Sequence, residues 1–292
     1  MTEEKRTNFF IVGAPKCGTT SLAYYLNFHQ NIFISNPKEP HFFAADLPKY
    51  KKVRSFADYL SLYESAPESA CYLGDASPNY LRSEEGIQNI WEFNDQAVFV
   101  VILRNPAELV QSWHSHLVSL GEEKRGNFLD VWENRVEPDY HFARDPKDLA
   151  YDEVAALGDQ VEKLLSVVPR EKIFLVLFDD FVQRTPDVFE GIIDWLGLPA
   201  SNHQPDFVPI NQKKVARNRA LQPLVNVLPD MLGPFWRVAR RRPWLREGIR
   251  KVLLKPEKGL TPDQLQKVRN YFIPQIQKLE RLTGFDLAGW KG

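Results

Sequence analysis

The sequence predicts an α/β protein with a doubly wound parallel sheet that is flanked by helices and forms a single domain over residues 1–292. Three observations predict this class: an apolar run that passes through a glycine-marked loop into a helix, a continuous β-branched run at 96–103, and strand patterns that alternate with helix patterns thereafter. The 292 residues are 43% apolar and 26% charged, which provides ample core for one large domain, with two smaller domains as the alternative.

The first strand–loop–helix unit has the pattern of a phosphate-binding loop. Residues 8–13 form a short apolar strand, and a helix is expected over residues 19–29. Gly13 and Gly18 have the separation of the two glycines in the P-loop pattern G-x-x-x-x-G-K-[ST]. The backbone N–H groups of such a turn, with the positive end of the following helix, converge on an anion. The predicted fold is therefore P-loop-like.

The loop departs from the nucleoside triphosphatase pattern at one position. Thr19 follows Gly18 where that pattern has a lysine, and the lysine of this loop, Lys16, is inside the turn. A lysine there lies beside bound phosphates instead of reaching forward to a γ-phosphate. Thr19 or Thr20 can still bond to a phosphate oxygen, but the usual triphosphatase arrangement is broken. The alternative is a glycine turn that only joins a buried strand to a helix.

A second strand–helix unit places an arginine at the carboxyl edge of the sheet. The run at 96–103 is typical of a central parallel strand that is buried on both faces, and Pro106 suits the first turn of the next helix. Arg104 follows the strand directly, where ligands of open α/β sheets bind, and Ser112 lies two helical turns further on. The two side chains could hold one phosphate; alternatively, Arg104 caps the strand or pairs with Glu108.

The remaining patterns continue the alternation. We predict a polar excursion over residues 120–147, a helix over 153–168, a strand over 172–178, a helix over 186–197, and a final helix that ends near residue 282. Thr261 followed by Pro262 is typical of a helix start, and Gly284 of a helix end.

The segment 36–43 is a candidate for acid–base chemistry. Pro37 and Pro40 hold it extended, and it follows the helix of the phosphate loop closely. A stiff polar segment beside phosphates is a natural place for a general base. The alternative is that Glu39 forms a solvated pair with the lysine before it, while His41 belongs to the core.

These motifs resemble those of sulfotransferases that use 3′-phosphoadenosine 5′-phosphosulfate (PAPS) as the sulfuryl donor. Residues 15–22 look like the loop that binds the 5′-phosphosulfate, the arginine and serine match the 3′-phosphate site, and residues 211–218 resemble a late basic loop that closes over the nucleotide. The resemblance implies that the donor is bound by Lys16, Cys17, Gly18, Thr19, Thr20, Ser21, Arg104, Ser112 and Arg217.

Two further segments resemble glycan sulfotransferases of the heparan sulfate type. Residues 36–43 are similar to a segment whose glutamate deprotonates the acceptor, which implies Glu39 as the general base and His41 as the reserve base. Residues 74–81 look like an acidic–x–Ser/Thr–Pro–x–Tyr segment of the same enzymes. Ala76 stands where the heparan-type members carry a lysine that helps to bind an anionic acceptor, so a heparan-like polysaccharide is disfavoured.

The resemblance implies in-line transfer of a sulfuryl group from PAPS to a hydroxyl, or an amine, of a small metabolite or glycan. Lys16 and the loop amides would stabilise the charge that grows on the leaving group. No metal is required, because a sulfuryl group carries less charge than a phosphoryl group, and no Cys/His spacing fits a zinc site. Two other classes stay open: a P-loop nucleotide kinase or triphosphatase, and a non-catalytic nucleotide-binding protein.

Composition bears on partners and location. A net charge of −1 argues against a nucleic-acid binder that works by bulk electrostatics. The two cysteines, Cys17 and Cys71, are too few for a disulfide framework, which fits a reducing compartment. The sequence has neither an apolar signal core nor an apolar run of about 18 residues, so we expect a cytoplasmic protein without a transmembrane segment.

The Arg- and Trp-rich segment 235–246 could pack on the domain, lie on an anionic membrane, bind a partner or form a lid.

Overall fold

Five strands build one parallel sheet in the computed structural model, which describes residues 6–134, 146–201, 205–208 and 260–292. The strands are β1 (Phe9–Gly13), β2 (Ile32–Ile34), β3 (Tyr72–Asp75), β4 (Val98–Leu103) and β5 (Ile173–Leu177). Their order in the sheet is β2-β3-β1-β4-β5, and every neighbouring pair runs parallel. The predicted α/β class with a parallel sheet is confirmed.

Helices flank this sheet on both faces. They are α1 (Thr19–Leu26), α2 (Phe56–Ser61), α3 (Gly86–Phe93), α4 (Pro106–Leu120), α5 (Phe128–Glu133), α6 (Tyr151–Val154), α7 (Leu157–Val167), α8 (Phe178–Gln183), α9 (Thr185–Trp195), α10 (Pro262–Thr283) and α11 (Ala288–Lys291). The chain leaves β1 through α1 toward one edge, but from β3 through α3 it crosses β1 to the other edge. Because such crossovers are right-handed, α1 and α3 lie on opposite faces. Accordingly, α9 packs on α1 and α7 packs on α3, as a doubly wound sheet requires.

The strands β1 and β4 form the centre of the hydrophobic core. All of Phe9–Gly13 is buried, and in β4 only Val98 is partly exposed. Their sequences are continuous apolar runs because both faces of each strand are covered. A Cβ placed on Gly13 would lie 2.6 Å from the Cβ of Leu81, so the chain after β3 packs directly against the end of β1. This contact brings together the two loops that leave β1 and β3.

The helix after the phosphate loop is shorter than predicted. It ends at Leu26 because the Oδ1 of Asn27 accepts a hydrogen bond from the backbone N of Ile34 at 2.8 Å. The Nδ1 of His29 accepts from the N of Asn31 at 3.1 Å. These hydrogen bonds form the turn into β2, a strand of three residues that the sequence analysis did not identify. The four-residue strand β3 was missed in the same way.

The helix predicted over residues 153–168 is two helices. The first, α6, ends at Val154, and α7 begins at Leu157. The side-chain Nε2 of Gln160 donates to the carbonyl O of Glu153 at 2.8 Å and to that of Val154 at 3.3 Å. These contacts satisfy carbonyls that an unbroken helix would have paired with its own N–H groups.

The other predicted elements after the central strand are confirmed with shifted ends. The strand predicted over 172–178 is β5, which stops at Leu177 because Phe178 begins α8. The helix predicted over 186–197 is α9, which ends at Trp195. The excursion predicted over 120–147 contains α5, whose buried side chains have helical spacing: Phe128, Val131 and Trp132.

The long helix predicted near the end of the sequence is α10, and it has the predicted ends. Thr261 forms a capping box with Gln264, and Gly284 adopts a φ of 74° at the carboxyl end. The helix packs on α7 and on α4. Neither α10 nor any other helix in the described parts of the chain is both long enough and apolar enough to cross a membrane.

The packing of α7 on α10 depends on the absence of a side chain at Gly158. A Cβ there would lie 2.7 Å from the backbone O of Gln275 and 3.0 Å from the Cβ of Lys278. Because a backbone atom cannot move aside easily, Gly158→Ala should lower the free energy of unfolding by about 1–3 kcal/mol in urea denaturation. Gly191 in α9 is the matched control, since a Cβ there meets nothing closer than Phe174 at 3.6 Å. Gly191→Ala should be neutral or stabilise by about 0.5–1 kcal/mol, and equal losses in both variants would contradict this account.

Candidate active site

A cleft at the carboxyl edge of the sheet collects side chains from all five strand ends. Its volume is about 970 Å³. One residue from the chain that follows each strand, in the order β1 to β5, lines it: Lys16, Glu39, Asn79, Arg104 and Phe178. Ligands of open parallel sheets bind at this edge, beside the point where the winding changes direction, which here is β1. The cleft is therefore the candidate active site.

The loop after β1 forms one wall of the cleft and has the conformation of an anion site. Gly18, with a φ of 82°, precedes α1, and its carbonyl accepts a hydrogen bond from the N of Ser21 at 2.9 Å. A Cβ on Gly18 would lie 3.0 Å from the ring of Phe181, so both the left-handed φ and the close approach favour glycine. Thr19, Thr20 and Ser21 line the cleft. The N–H groups of Thr19 and Thr20 precede the first hydrogen bonds of the helix and are suited to an anion.

Cys17 is placed differently from the rest of this loop. Its thiol is fully buried and donates to the carbonyl O of Pro15 at 3.4 Å, and its backbone N donates to the O of Ala14 at 3.3 Å. Burial raises the pKa of the thiol to about 12, an effect that the charges of Arg104 and Lys16 only partly offset. The neutral thiol packs beneath the loop. The side chain of Cys17, which was predicted to bind the donor, therefore points into the core and not into the cleft.

Arg104 occupies the predicted position at the sheet edge and also has the alternative partner. Its Nη2 and Nε lie 2.9 and 3.3 Å from the Oε2 of Glu108, and its Nη1 donates to the carbonyl O of Lys16 at 3.4 Å. The guanidinium carbon is 4.5 Å from the centre of the Phe178 ring. Ser112, 6% exposed, lines the same cleft. Because the Glu108 side chain is 40% exposed, its ion pair with Arg104 is weak enough for an anionic ligand to displace the carboxylate.

Three residues proposed for catalysis share an unusual backbone conformation. Lys16, Glu39 and His41 have φ values of 63°, 62° and 50°, and they are the non-glycine residues with positive φ in the described ranges. This conformation costs an L-residue about 1–2 kcal/mol and persists only where the surrounding structure enforces it. Such residues concentrate at functional sites, and here all three line the cleft.

The chain after β3 enforces the conformation of the segment that carries Glu39. Ser77 Oγ accepts a hydrogen bond from the backbone N of His41 at 3.1 Å, and Tyr80 OH accepts from the N of Phe43 at 3.3 Å. Both hydroxyls donate to one carboxylate: Ser77 to Asp75 Oδ1 at 2.6 Å and Tyr80 to Asp75 Oδ2 at 2.8 Å. The segment is therefore tied through two hydroxyls to the end of β3.

Asp75 is the buried centre of this network. Its side chain is fully buried, and a third hydroxyl, that of Tyr59, donates to Oδ2 at 3.1 Å. Burial raises the pKa of the carboxyl to about 6, and the hydrogen bonds from Ser77, Tyr80 and Tyr59 limit the rise. Three donors account for most of the lone pairs that a buried carboxylate must satisfy. The acidic residue of the 74–81 segment thus supports the site from below and does not face the cleft.

Glu39 is half-buried and held in its ionised form. Its Oε1 lies 2.7 Å from the Nζ of Lys38, and Lys52 Nζ donates to the carbonyl O of Lys38 at 2.8 Å. Burial raises the pKa of the Glu39 carboxyl, but the charge and hydrogen bond of Lys38, together with His41 and Lys52, outweigh burial and leave the pKa below its ordinary value. An ionised carboxylate in the cleft can accept a proton, as a general base must.

Two histidines near the site are buried. His41 is 1% exposed, its Nδ1 lies 3.1 Å from the carbonyl O of Glu39, and burial lowers its pKa to about 4. His114 is fully buried, and its Nε2 donates to the carbonyl O of Arg125 at 2.8 Å. His41 reaches the wall of the cleft, whereas His114 does not.

Several cleft residues were not identified from the sequence. Aromatic and polar side chains contribute to the wall: Tyr25, Tyr50, Asn79, Trp113, His116, Phe178, Phe181 and Phe207. Phe178 follows β5 as Arg104 follows β4, so its position at a strand end was the signal that could have revealed it. Trp113 and His116 carried no comparable signal, because helical spacing alone does not separate a residue that faces the core from one that faces a cleft.

Some predicted features lie in parts of the chain that the structure does not describe. Arg217, the 211–218 loop and the 235–246 segment lie outside the described residues. Among the residues that are described, no group of three or more His, Cys, Asp or Glu side chains is arranged to hold a metal ion.

Comparison with known proteins identifies the family. The profile described as the Sulfotransferase family matches residues 38–202, a range that contains Glu39, Arg104 and Ser112. The chain belongs to the sulfotransferase family. It is 25% identical over 117 residues to human "Bifunctional heparan sulfate N-deacetylase/N-sulfotransferase 3", a match that covers 39% of this chain and 13% of that protein. It is 23% identical over 290 residues to rat "Carbohydrate sulfotransferase 15", covering 78% of this chain and 52% of that protein. The chain thus spans a small part to about half of these relatives.

A solved structure has the same fold. The crystal structure of a sulfotransferase from Alicyclobacillus acidocaldarius superposes with a TM-score of 0.74 and 24% identity, and the match covers 99% of this chain and 100% of that one. At this identity the similarity shows the fold. The P-loop-like sheet predicted from the sequence is therefore the sheet of a sulfotransferase.

The buried carboxyl of Asp75 should give stability a specific pH dependence. Because its pKa is raised from 3.8 to about 6, the folded protein keeps a proton that the unfolded chain has released between these values. The resulting stabilisation is complete below pH 3.8 and is lost as the pH rises through about 6, by up to about 3 kcal/mol.

Asp75→Asn removes this titration and isolates its effect. The free energy of unfolding of the original protein minus that of the variant should fall as the pH rises from about 4 to about 7, measured by urea denaturation at each pH. A constant offset between the two proteins is expected from altered hydrogen bonds. A difference that stays flat or rises over this pH range would contradict the raised pKa.

Proposed function

We propose that this sulfotransferase transfers the sulfuryl group of PAPS to a hydroxyl, or an amine, of a small-molecule or glycan acceptor. One observation carries the proposal: a phosphate-type loop without the triphosphatase lysine, the Arg104–Ser112 pair and the ionised Glu39 line one cleft. Membership of the sulfotransferase family supports the reaction class. The donor and the residue roles are inferred from the site.

The charge and shape of the cleft support PAPS as the donor. The 5′-phosphosulfate is assigned to Lys16 in the loop and to Thr19 and Thr20 at the start of α1, where the first N–H groups of the helix and the helix dipole favour an anion. The 3′-phosphate is assigned to Arg104 and Ser112, since a guanidinium can hold a phosphate with two hydrogen bonds. The aromatic rings of Phe178 and Phe181 line the cleft beside the loop and offer flat surfaces for the adenine.

Transfer requires the acceptor atom, the sulfur and the leaving phosphate oxygen to lie in line. A bond forms between the acceptor oxygen or nitrogen and sulfur while the bond from sulfur to the bridging phosphate oxygen breaks. Glu39 takes the proton of the acceptor, and the product nucleotide is 3′-phosphoadenosine 5′-phosphate (PAP). Lys16 stabilises the negative charge that grows on the departing oxygen. No step in this chemistry calls for a metal ion.

The relatives support a glycan acceptor, and Ala76 makes a polyanionic glycan less favoured. The names of two relatives refer to heparan sulfate and to carbohydrate, which supports a glycan acceptor. Ala76, which is fully buried, provides no positive charge for a polyanion. We therefore place a heparan-like polysaccharide below uncharged glycans and small alcohols as acceptors. Nucleic acid is not proposed as a partner, because the net charge is −1.

The rival functions are less consistent with the site. A nucleotide kinase or triphosphatase needs a strand-end carboxylate for magnesium, but Asp75 at the end of β3 is buried and bound by three hydroxyls. A non-catalytic nucleotide-binding protein would not need an ionised glutamate beside the phosphate loop. We also propose a cytoplasmic location, because Cys17 and Cys71 are free thiols, which fits a reducing compartment.

Arg104→Ala tests the assignment of the 3′-phosphate. The variant should bind PAP about 2–4 kcal/mol more weakly than the original protein, because charge-assisted hydrogen bonds are lost. It should bind adenosine 5′-phosphate almost as before, and calorimetry measures both. Arg184→Ala is the matched control: Arg184 also forms an i,i+4 ion pair, with Asp180, but does not line the cleft. Equal losses for the two nucleotides would show that Arg104 does not recognise the 3′-phosphate.

Glu39→Gln tests the general base. The amide keeps the size of the side chain but cannot accept a proton, so transfer should fall by about 10²-fold or more while PAP binding survives. In the original protein kcat/KM should rise with pH through the lowered pKa of Glu39 and be level at neutral pH. The variant should lose this acidic limb, and Glu92→Gln on the surface of α3 should not. If Glu39→Gln stays active while His41→Ala is inactive, the base is the histidine.

A further inference from the structure

A line of hydrogen bonds leads from the wall of the cleft into the protein. Asn79 Nδ2 lies 3.2 Å from His41 Nε2, and Asn79 Oδ1 accepts from Arg82 Nε at 2.8 Å. Arg82 Nη2 then donates to Asp148 Oδ1 at 2.5 Å. Asp148 is separated from Arg82 by 66 positions in the sequence, so this line connects two distant parts of the chain.

The inner end of this line is rigidly enclosed. The side chains of Arg82 and Asp148 are 5% and 0% exposed. Tyr50 OH donates to Asp148 Oδ2 at 2.8 Å, and Trp113 Nε1 donates to the backbone O of Asp148 at 2.8 Å. The guanidinium carbon of Arg82 lies 5.4 Å from the Tyr50 ring and 5.6 Å from the Trp113 ring. Each nitrogen of the buried guanidinium donates a hydrogen bond, Nη1 to the carbonyl O of Lys147 at 3.4 Å. Rotation would leave these buried donors unsatisfied, so the direction of the Nε–H is fixed.

The chemistry of donors and acceptors then fixes the proton on His41. Arg82 Nε can only donate, so the atom of Asn79 that faces it must be the oxygen. The amide nitrogen of Asn79 therefore faces His41, and because it too only donates, Nε2 of the imidazole must carry a lone pair. The proton of the neutral ring is then on Nδ1, where it is donated to the carbonyl O of Glu39 at 3.1 Å.

We propose that Asn79, Arg82 and Asp148 are positioning residues that hold His41 as its neutral Nδ1–H tautomer, so that His41 secures the backbone of Glu39 and directs the Glu39 carboxylate into the cleft. The part of this inference that concerns catalysis rests on the proposed function, in which Glu39 is the base. His41 is in this arrangement a donor to the backbone and not a proton acceptor, because both ring nitrogens already have partners.

The Nδ1–H tautomer of His41 stabilises the left-handed backbone at Glu39 and His41. The hydrogen bond from Nδ1–H closes a loop from the ring of His41 back to the carbonyl two residues earlier. Ser77 fixes the N–H of His41 from the other side. These two contacts on one residue offset the strain of φ values that glycine, not glutamate or histidine, adopts readily.

The groups around His41 set its response to pH. The charged groups that act on it are Glu39, Lys38 and Lys52, and the rings packed beside it are Tyr50 at 5.4 Å and Tyr80 at 5.8 Å. Burial lowers the pKa of His41 to about 4, and Glu39 acts in the opposite direction. The neutral tautomer is therefore the form present across the neutral range.

Nuclear magnetic resonance of the imidazole nitrogens tests the tautomer directly in the unaltered protein. We expect a proton on Nδ1 of His41, a bare Nε2, and no titration of this ring between about pH 5 and pH 8. A proton on Nε2 would overturn the proposal without any variant. This measurement needs neither donor nor acceptor, so it stands even if the protein transfers no sulfuryl group.

Asn79→Asp tests the role of the amide. The aspartate has the same shape but can only accept, so it would oppose the lone pair of Nε2 and favour the imidazolium form of His41. The pKa of His41 should rise by about two units or more, followed by the same resonances. Asn89→Asp is the matched control, because Asn89 Nδ2 donates to the carbonyl O of Phe43 on the same segment but does not contact His41. An unchanged His41 titration in Asn79→Asp would overturn the proposal.

Kinetics separates the positioning role from a general loss of structure. In Asn79→Asp, kcat should fall by about tenfold or more, and by a larger factor than PAP affinity, since the hydrogen bonds of the Asn79 side chain go to His41 and Arg82 and not to the phosphate loop. The activity lost should depend on pH in step with the new His41 titration. Loss of PAP binding together with kcat would contradict the positioning role. If the unaltered protein neither binds PAP nor transfers sulfuryl groups, the proposed function fails while the tautomer result stands.

Discussion

The buried carboxylate of Asp75 is the constraint on which the site depends. It lies at the end of β3, accepts hydrogen bonds from Ser77 and Tyr80, and through these hydroxyls holds the backbone N–H groups of His41 and Phe43. A buried carboxylate is costly unless its lone pairs are satisfied, so the hydroxyls that surround it have little freedom to choose other partners. That rigidity is passed to the segment that carries the proposed base. A change at Asp75 would therefore act on catalysis without any contact with substrate.

The site stores strain where the fold provides support. Lys16 lies in a turn whose carbonyl is bound by Arg104, and Glu39 and His41 lie on a segment held by the chain after β3. Each left-handed residue thus sits next to a hydrogen bond that comes from a neighbouring strand end. Parallel strands bring their carboxyl ends to one edge, which is why a single sheet can supply the phosphate loop, the base and the arginine together. The sheet brings these residues together, and the sequences of the loops determine which reaction they can perform.

The predicted residues that the structure brings to the cleft are those that local sequence patterns mark. The Gly13–Gly18 spacing, the arginine directly after the central strand and the proline-flanked glutamate each depend on a few neighbouring residues, and Lys16, Arg104, Ser112 and Glu39 all line the cleft. The partners that hold them are distant in sequence, as Asp148 is from Arg82, and no local pattern marks them. The short strands β2 and β3 and the break between α6 and α7 were missed for the same reason, because side-chain hydrogen bonds such as those of Asn27 and Gln160 determine them.

The central claim is that the cleft recognises a 3′-phosphorylated adenosine nucleotide, and calorimetry on the unaltered protein tests it most directly. PAP, ADP and ATP would be titrated with and without Mg²⁺. The account predicts that PAP binds about tenfold or more tightly than ADP, because the 3′-phosphate adds charge-assisted hydrogen bonds, and that Mg²⁺ has little effect. ATP binding more tightly than PAP, and only in the presence of Mg²⁺, would contradict the account.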